Sequence, residues 1–158
     1  EKEFIPVCEK RNLTLTVGDS EDIPLIEADG VRLRTAIENV IGNAIKYTPD
    51  GGHITITVQK IANTDTIDII IRDTGIGIPT EEQRNIFEQF YVLGEVAHHS
   101  TSKSAFGGGG LGIGLSITKG IIDAHHGRVW VESKGRDEEG LPGTAIHLVM
   151  PIKQKKRG

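Results

Sequence analysis

Apolar residues and threonines alternate as LTLTV over residues 13–17, which predicts a half-buried strand, and a short extended piece at 24–27 leads toward Asp29. From there the period changes. Leu33, Ile37, Val40, Ile41 and Ala44 recur at helical spacing, Asp29 or Gly30 can cap the start, and Pro49, Gly51 and Gly52 end the helix at about Tyr47. β-Branched residues dominate 53–61 (HITITVQKI) and 66–73 (TIDIIIRD), and Asn63, Thr64 and Asp65 between them predict a hairpin. After Pro79, Glu81 and Glu82 suit the first turn of a short helix that closes at Tyr91, with Ile86, Phe87 and Phe90 as its apolar face. Residues 92–109 carry no period, and their His, Ser, Thr, Lys and Gly content predicts a long functional loop. Helical spacing resumes over 112–125 with Leu115, Ile117, Ile121 and Ile122 inward, and alternating strands at 128–133 and 144–150 close the pattern, with Trp130 expected as core packing on the first of them.

A chain of 158 residues suits one domain with one sizeable core, and 37% hydrophobic and 25% charged residues match a soluble globular composition. The 20 glycines are the unusual feature, and they concentrate in loops. A net charge of −4 argues against general nucleic-acid binding, because the one basic run, Lys153, Lys155, Lys156 and Arg157, reads as a solvated tail over 152–158. Cys8 is alone, so no internal disulfide supports the fold, as expected in a reducing compartment. No apolar stretch has the length of a membrane span. The first residue is Glu1, and the sequence is expected to be a cytoplasmic piece of a longer protein, with residues 1–10 as the end of a linker and membrane anchoring of the parent left open.

Three segments carry candidate chemistry. Asn39, Asn43 and Lys46 fall at i, i+4 and i+7 and therefore share one helix face. Amide oxygens there suit magnesium that already carries phosphate oxygens, and the ammonium suits phosphate, although a plain solvated face fits the same spacing. Asp73 ends an apolar strand and precedes Thr74, Gly75, Ile76 and Gly77, where an acceptor-only carboxylate can receive the amino hydrogens of adenine and the glycines let a flat base approach the main chain. An aspartate capping an ordinary turn is the competing reading. Residues 107–115 (GGGGLGIGL) run into a helix whose N-terminal N–H groups can receive anionic oxygens. There is no GxxxxGK[ST] loop, and the GxGxxG match at Gly107, Gly109 and Gly112 follows a polar loop instead of a strand.

Taken in order, NVIGNAIKYT at 39–48, DTGIG at 73–77, IFEQFY at 86–91 and GLGIGLSI at 110–117 resemble the asparagine, first glycine, phenylalanine and second glycine boxes of sensor histidine kinases. AHHGRVWVES and GTAIHLVMP follow in the same style. The resemblance covers the chain from Asp29 onward and implies a single catalytic domain of the GHKL superfamily, with the Bergerat fold. That fold is an α/β (α+β) two-layer sandwich, a mixed β-sheet backed by about three helices, with a flexible ATP lid over 92–109. The implied ligands are ATP and Mg2+. Asn39 and Asn43 would hold the metal, and with Lys46 they form the implied catalytic set. Lys46 and Tyr47 would face phosphates or ribose, Asp73 would read adenine, and Gly110, Gly112 and Gly114 would shape the lid hinge. Gly75, Ile76, Gly77, Ile78, Phe90, Gly108, Leu111, Ile113, Leu115 and Thr144 complete the implied nucleotide site. Phe87 and Phe90 would support the lid and meet the helical domain.

The family's phosphate acceptor is a histidine followed by an acidic residue, and none of the six histidines here has Asp or Glu next. The resemblance therefore implies a histidine-bearing helical dimerisation domain elsewhere in the parent, a response regulator downstream, a monomeric isolated domain and a homodimeric parent. His125 and His126 sit at a helix end, where capping is expected, while His98 and His99 fall in the lid. Relatives that hydrolyse ATP carry a glutamate where this chain has Asn39, and Glu38 lies about 100° around the helix. Transfer is thus favoured over the two alternatives, a GHKL-type ATPase and a nucleotide-dependent scaffold. One departure stands out: many relatives carry an arginine after the phenylalanine box, whereas Val92 and Leu93 follow here, leaving Arg84 or Lys103 to replace it.

Overall fold

The computed structural model describes residues 3–18, 23–89 and 113–153. The elements in order are α1 (Ile5–Lys10), β1 (Thr14–Val17), α2 (Gly30–Tyr47), β2 (His53–Lys60), β3 (Thr66–Asp73), α3 (Gly114–Ala124), β4 (Arg128–Glu132) and β5 (Thr144–Pro151). The strands form one sheet in the order β1-β2-β3-β5-β4, with β1 parallel to β2 and every other pairing antiparallel. This is the mixed sheet with helices that the family resemblance implies.

The alternation within strands sorts the two faces. Ile54, Ile67, Ile69, Ile71, Ile146, Leu148 and Met150 enter one core with Ala36, Val40, Ile41, Ala44 and Ile45 of α2 and Ile122 of α3. Phe4 and Cys8 bring α1 into that same core. Each Ile or Leu there is worth about 2–5 kcal/mol against truncation to alanine. Helix α2 starts where Asp29 accepts N–H bonds from Val31 and Arg32 at 3.1 and 3.0 Å. It packs on α3 through small groups: the buried Thr118 hydroxyl lies 3.1 Å from both Ala36 O and Gly114 O.

His125, the C-cap of α3, accepts the Asp29 N–H through Nε2 at 3.0 Å, and its Nδ1 lies 2.8 Å from Ile121 O. It therefore caps its own helix and ties it to the start of α2, the structural role expected of it. Trp130 departs from expectation. Instead of entering the core, it stands half-buried on the other face of the sheet, stacked on the buried His147 ring at 4.8 Å. His147 Nδ1 meets Asp68 Oδ2 at 2.9 Å across the β3–β5 pairing. The strand period placed Trp130 correctly in the alternation but did not reveal which face the helices cover.

The segment after Pro79 also differs. Its bonds are isolated i→i+3 contacts, Glu82 N to Pro79 O, Asn85 N to Glu82 O and Glu88 N to Asn85 O, so it is a chain of turns and not an α-helix. Burial of Ile86 and Phe87 in the core, at 4% and 7% exposure, fixes the segment without helical i→i+4 bonding. Phe87 thus packs inside its own domain. The helix absent there has a counterpart at the other end, because α1 had no readable period in its six residues.

Candidate functional site

Strand β3 delivers Asp73 to the helix-covered face, in phase with Ile69 and Ile71. The carboxylate is 9% exposed, and its Oδ1 accepts N–H bonds from Gly75 at 2.8 Å and Thr144 at 3.2 Å. Burial pushes its pKa up to about 6, against which those two bonds and the Arg72 charge pull down. Oδ2 has no partner among the described residues. A buried acceptor is therefore held in place by one oxygen and presented by the other.

Asp73 opens into a slot between α2 and the sheet. Val40, Asn43, Ala44 and Tyr47 form the α2 wall, Ile71, Thr144 and Ile146 the sheet wall, and Gly77, Ile78, Ile86 and Leu115 the rest. The slot encloses about 40 Å³, more than a single water needs. The Asn43 amide has no hydrogen-bond partner among the described residues. Asn39 sits one turn earlier, outside the lining, and donates through Nδ2 to Gly114 O at 3.1 Å, which leaves its Oδ1 as an acceptor beside the start of α3. Helix α3 begins after Ile113 with no side-chain cap, so its first N–H groups are unfilled by any side chain there. Lys46 is exposed, with Nζ 5.1 Å from the Tyr47 ring centroid.

The structure thus gathers Asn43, Tyr47, Asp73, Gly77, Ile78, Leu115 and Thr144 around one space. It puts Asn39, Ile113 and Gly114 together at the base of α3, and Gly75 and Ile76 in the turn behind Asp73. Phe90, Gly108, Gly110, Leu111 and Gly112, with Tyr91, His98, His99, Lys103, Gly107, Gly109 and the loop 92–109, lie outside the described residues. The glycines of the turn also serve the fold itself. A Cβ on Gly75 would lie 2.5 Å from Tyr47 O, and one on Gly77, at φ +74°, would lie 2.0 Å from Gly135 O. They let the protein's own backbones close on each other.

Val40, Ala44, Ile71, Ile86 and Ile146 are slot residues to which the sequence assigned no role in the site, and only their apolar periodicity announces them. Two amide oxygens, with no cluster of three or more His, Cys, Asp or Glu among the described residues, fit a hard cation that brings phosphate oxygens and waters with it. Glu38 is turned elsewhere: its carboxylate accepts from Arg34 Nε at 2.6 Å and is absent from the slot lining.

The profile described as "Histidine kinase-, DNA gyrase B-, and HSP90-like ATPase" matches residues 28–154, and the chain belongs to that family. Within it, the similarity runs to sensor histidine kinases. The chain is 35% identical over 150 residues to the adaptive-response sensory kinase SasA of Rippkaea orientalis, a match covering 95% of this chain and 34% of that protein. It superposes on a nucleotide-free form of the catalytic domain of histidine kinase ThkA with a TM-score of 0.74 at 26% identity, covering 96% of this chain and 88% of that one. It also matches ThkA solved in complex with the response regulator protein TrrA, with a TM-score of 0.73 at 25% identity over 99% of this chain and 39% of that one. The chain spans about a third of the length of the SasA proteins it matches.

Proposed function

We propose that this chain is the ATP-binding catalytic domain of a two-component sensor histidine kinase, which presents the γ-phosphoryl group of ATP to a histidine on an adjoining helical dimerisation domain. The observation that carries the reading is the Asp73 carboxylate, buried, pinned through Oδ1 and lining a slot that Asn43 lines from α2. Oδ2 accepts the adenine amino group, and burial from water strengthens that bond. Asn39 and Asn43 would hold Mg2+, which when bound neutralises phosphate charge. Lys46 and Tyr47 face phosphates or ribose, and the first N–H groups of α3, beyond Ile113 and Gly114, receive anionic oxygens. The remaining lid-side positions, Phe90, Gly108, Gly110, Leu111 and Gly112, complete the same site. Positioning and charge neutralisation supply the catalysis, with the nucleophile delivered by the partner domain.

The pairing of Glu38 with Arg34 supports transfer over hydrolysis, since no carboxylate of α2 lines the slot to activate water. The solved ThkA–TrrA complex supports a response regulator as the next acceptor. Among the described residues no helix is long and apolar enough to cross a membrane, and a cytoplasmic position for this domain follows from its proposed substrate. Asn43→Ala and Asp73→Ala are expected to abolish calorimetric Mg-ATP binding while the circular dichroism spectrum is kept. Unchanged affinity in both defeats the assignment. Transfer of labelled γ-phosphate to a separately supplied helical hairpin bearing a histidine followed by Glu or Asp tests the kinase step. Phosphate release lost in Glu38→Gln would instead favour an ATPase.

A further inference from the structure

Pro49 stands four residues after Ile45 and has no N–H, so the Ile45 carbonyl lacks the donor that would continue the α2 ladder. Arg11 supplies one from outside the helix. Its guanidinium donates through Nη1 to Ile45 O and through Nη2 to Thr48 O at 2.7 Å, while Nε pairs with Asp50 at 2.8 Å. A positive charge there also complements the negative end of the α2 dipole. The main chain adds Gly51 N to Arg11 O at 3.2 Å. Arg11 is itself placed by α1, of which it is the C-cap, and α1 is anchored by the buried Phe4 and Cys8.

Between the two clamped carbonyls lies Tyr47, whose own carbonyl accepts the Ile76 N–H at 3.3 Å. Gly75 approaches the same oxygen closely enough to exclude a Cβ. The last turn of α2 is thus held on one side by Arg11 and bonded on the other to the turn that carries Asp73. Tyr47 and Asp73 are both slot residues, and Arg11 is not. We infer that Arg11 is a positioning residue for nucleotide binding, fixing the last turn of α2 against the Asp73–Ile78 turn so that a helix outside the slot sets its affinity. The inference rests on the nucleotide reading above and adds a residue that touches no part of the ligand.

The test compares wild type, Arg11→Ala, Arg11→Lys, Arg11→Gln and Asp50→Ala in this 158-residue chain. Asp50 is 71% exposed and its loss leaves both carbonyl bonds, so Asp50→Ala is expected to keep Mg-ATP affinity within about twofold. Arg11→Ala is expected to weaken it about five- to tenfold, with Arg11→Lys recovering part of the loss and amide exchange accelerating at Ile76. In transfer to the helical hairpin the KM for ATP rises while kcat stays within about twofold, a split that reduced stability alone does not give. A folded Arg11→Ala protein with wild-type affinity overturns the inference. If Arg11→Ala does not fold, wild-type affinity in both Arg11→Lys and Arg11→Gln overturns it. Wild type is titrated first, and its failure to bind Mg-ATP sinks the nucleotide reading separately, whatever the variants do.

Discussion

Replacing Asp73 by asparagine is expected to make the domain more stable and less able to bind ATP. Burial raises the Asp73 pKa from the ordinary 3.8 to about 6, so holding the carboxylate ionised at neutral pH costs the fold about 3 kcal/mol. The folded value lies above the unfolded one. The native state therefore binds more protons between the two values, and stability falls as pH rises through about 4 to 6 and then levels. Asparagine keeps the shape and an acceptor oxygen for the Gly75 and Thr144 N–H groups, yet carries no charge to desolvate. At pH 7 Asp73→Asn should gain about 1–3 kcal/mol and lose this part of the pH slope. Its Nδ2 donors then face the amino donors of adenine, and flipping the amide only moves the conflict to the two backbone N–H groups. Affinity should fall at least about tenfold, roughly 1.4 kcal/mol or more. Urea denaturation between about pH 4.5 and 7.5, with calorimetric titration of Mg-ATP, reads both effects. An Asp73→Asn protein that is less stable at pH 7 with the acid slope intact refutes the claim that burial dominates this carboxylate.

Gly75→Ala drives a Cβ toward Tyr47 O, where contact would be at 2.5 Å, and is expected to cost about 2 kcal/mol or more by urea denaturation and to weaken ATP binding; wild-type values in both would show the turn to be compliant. Asp29→Ala removes the α2 cap and should cost about 1 kcal/mol with ATP affinity unchanged, read by thermal melting and titration. Asn39→Ala should lower magnesium-dependent ATP affinity more than affinity measured with the metal chelated, because its free Oδ1 is assigned to the cation; equal losses would move Asn39 from the metal to the α3 contact alone.

Where a period ran for several turns or a full strand, the chain announced its structure. The hairpin strands, the Asp29 cap and the end of α2 at Tyr47 lie where pattern and turn chemistry put them, since each is decided by local residues. The short elements were not legible. Six residues of α1 give too little period to count, and Ile86 and Phe87 look helical at 86–90 although tertiary burial and isolated turn bonds hold them. At the site, Asp73 and Asn43 were readable as candidates, Asp73 because a carboxylate at the end of an apolar strand needs a reason and Asn43 because its spacing puts it on one face with Asn39 and Lys46. Arg11 was not, since its role depends on a missing N–H at Pro49 that only the docking of α1 brings within reach.

The central claim is that Asp73 and Asn43, from separate elements, address one nucleotide. Titrating the isotope-labelled chain with Mg-ATP while following the Gly75 and Thr144 amides and the Asn43 side-chain amide tests it directly. All three signals are expected to move along one binding curve, with the Gly75 and Thr144 shifts lost in Asp73→Asn. Saturation by Mg-ATP that leaves Gly75 and Thr144 unmoved, while other residues shift, would contradict the account.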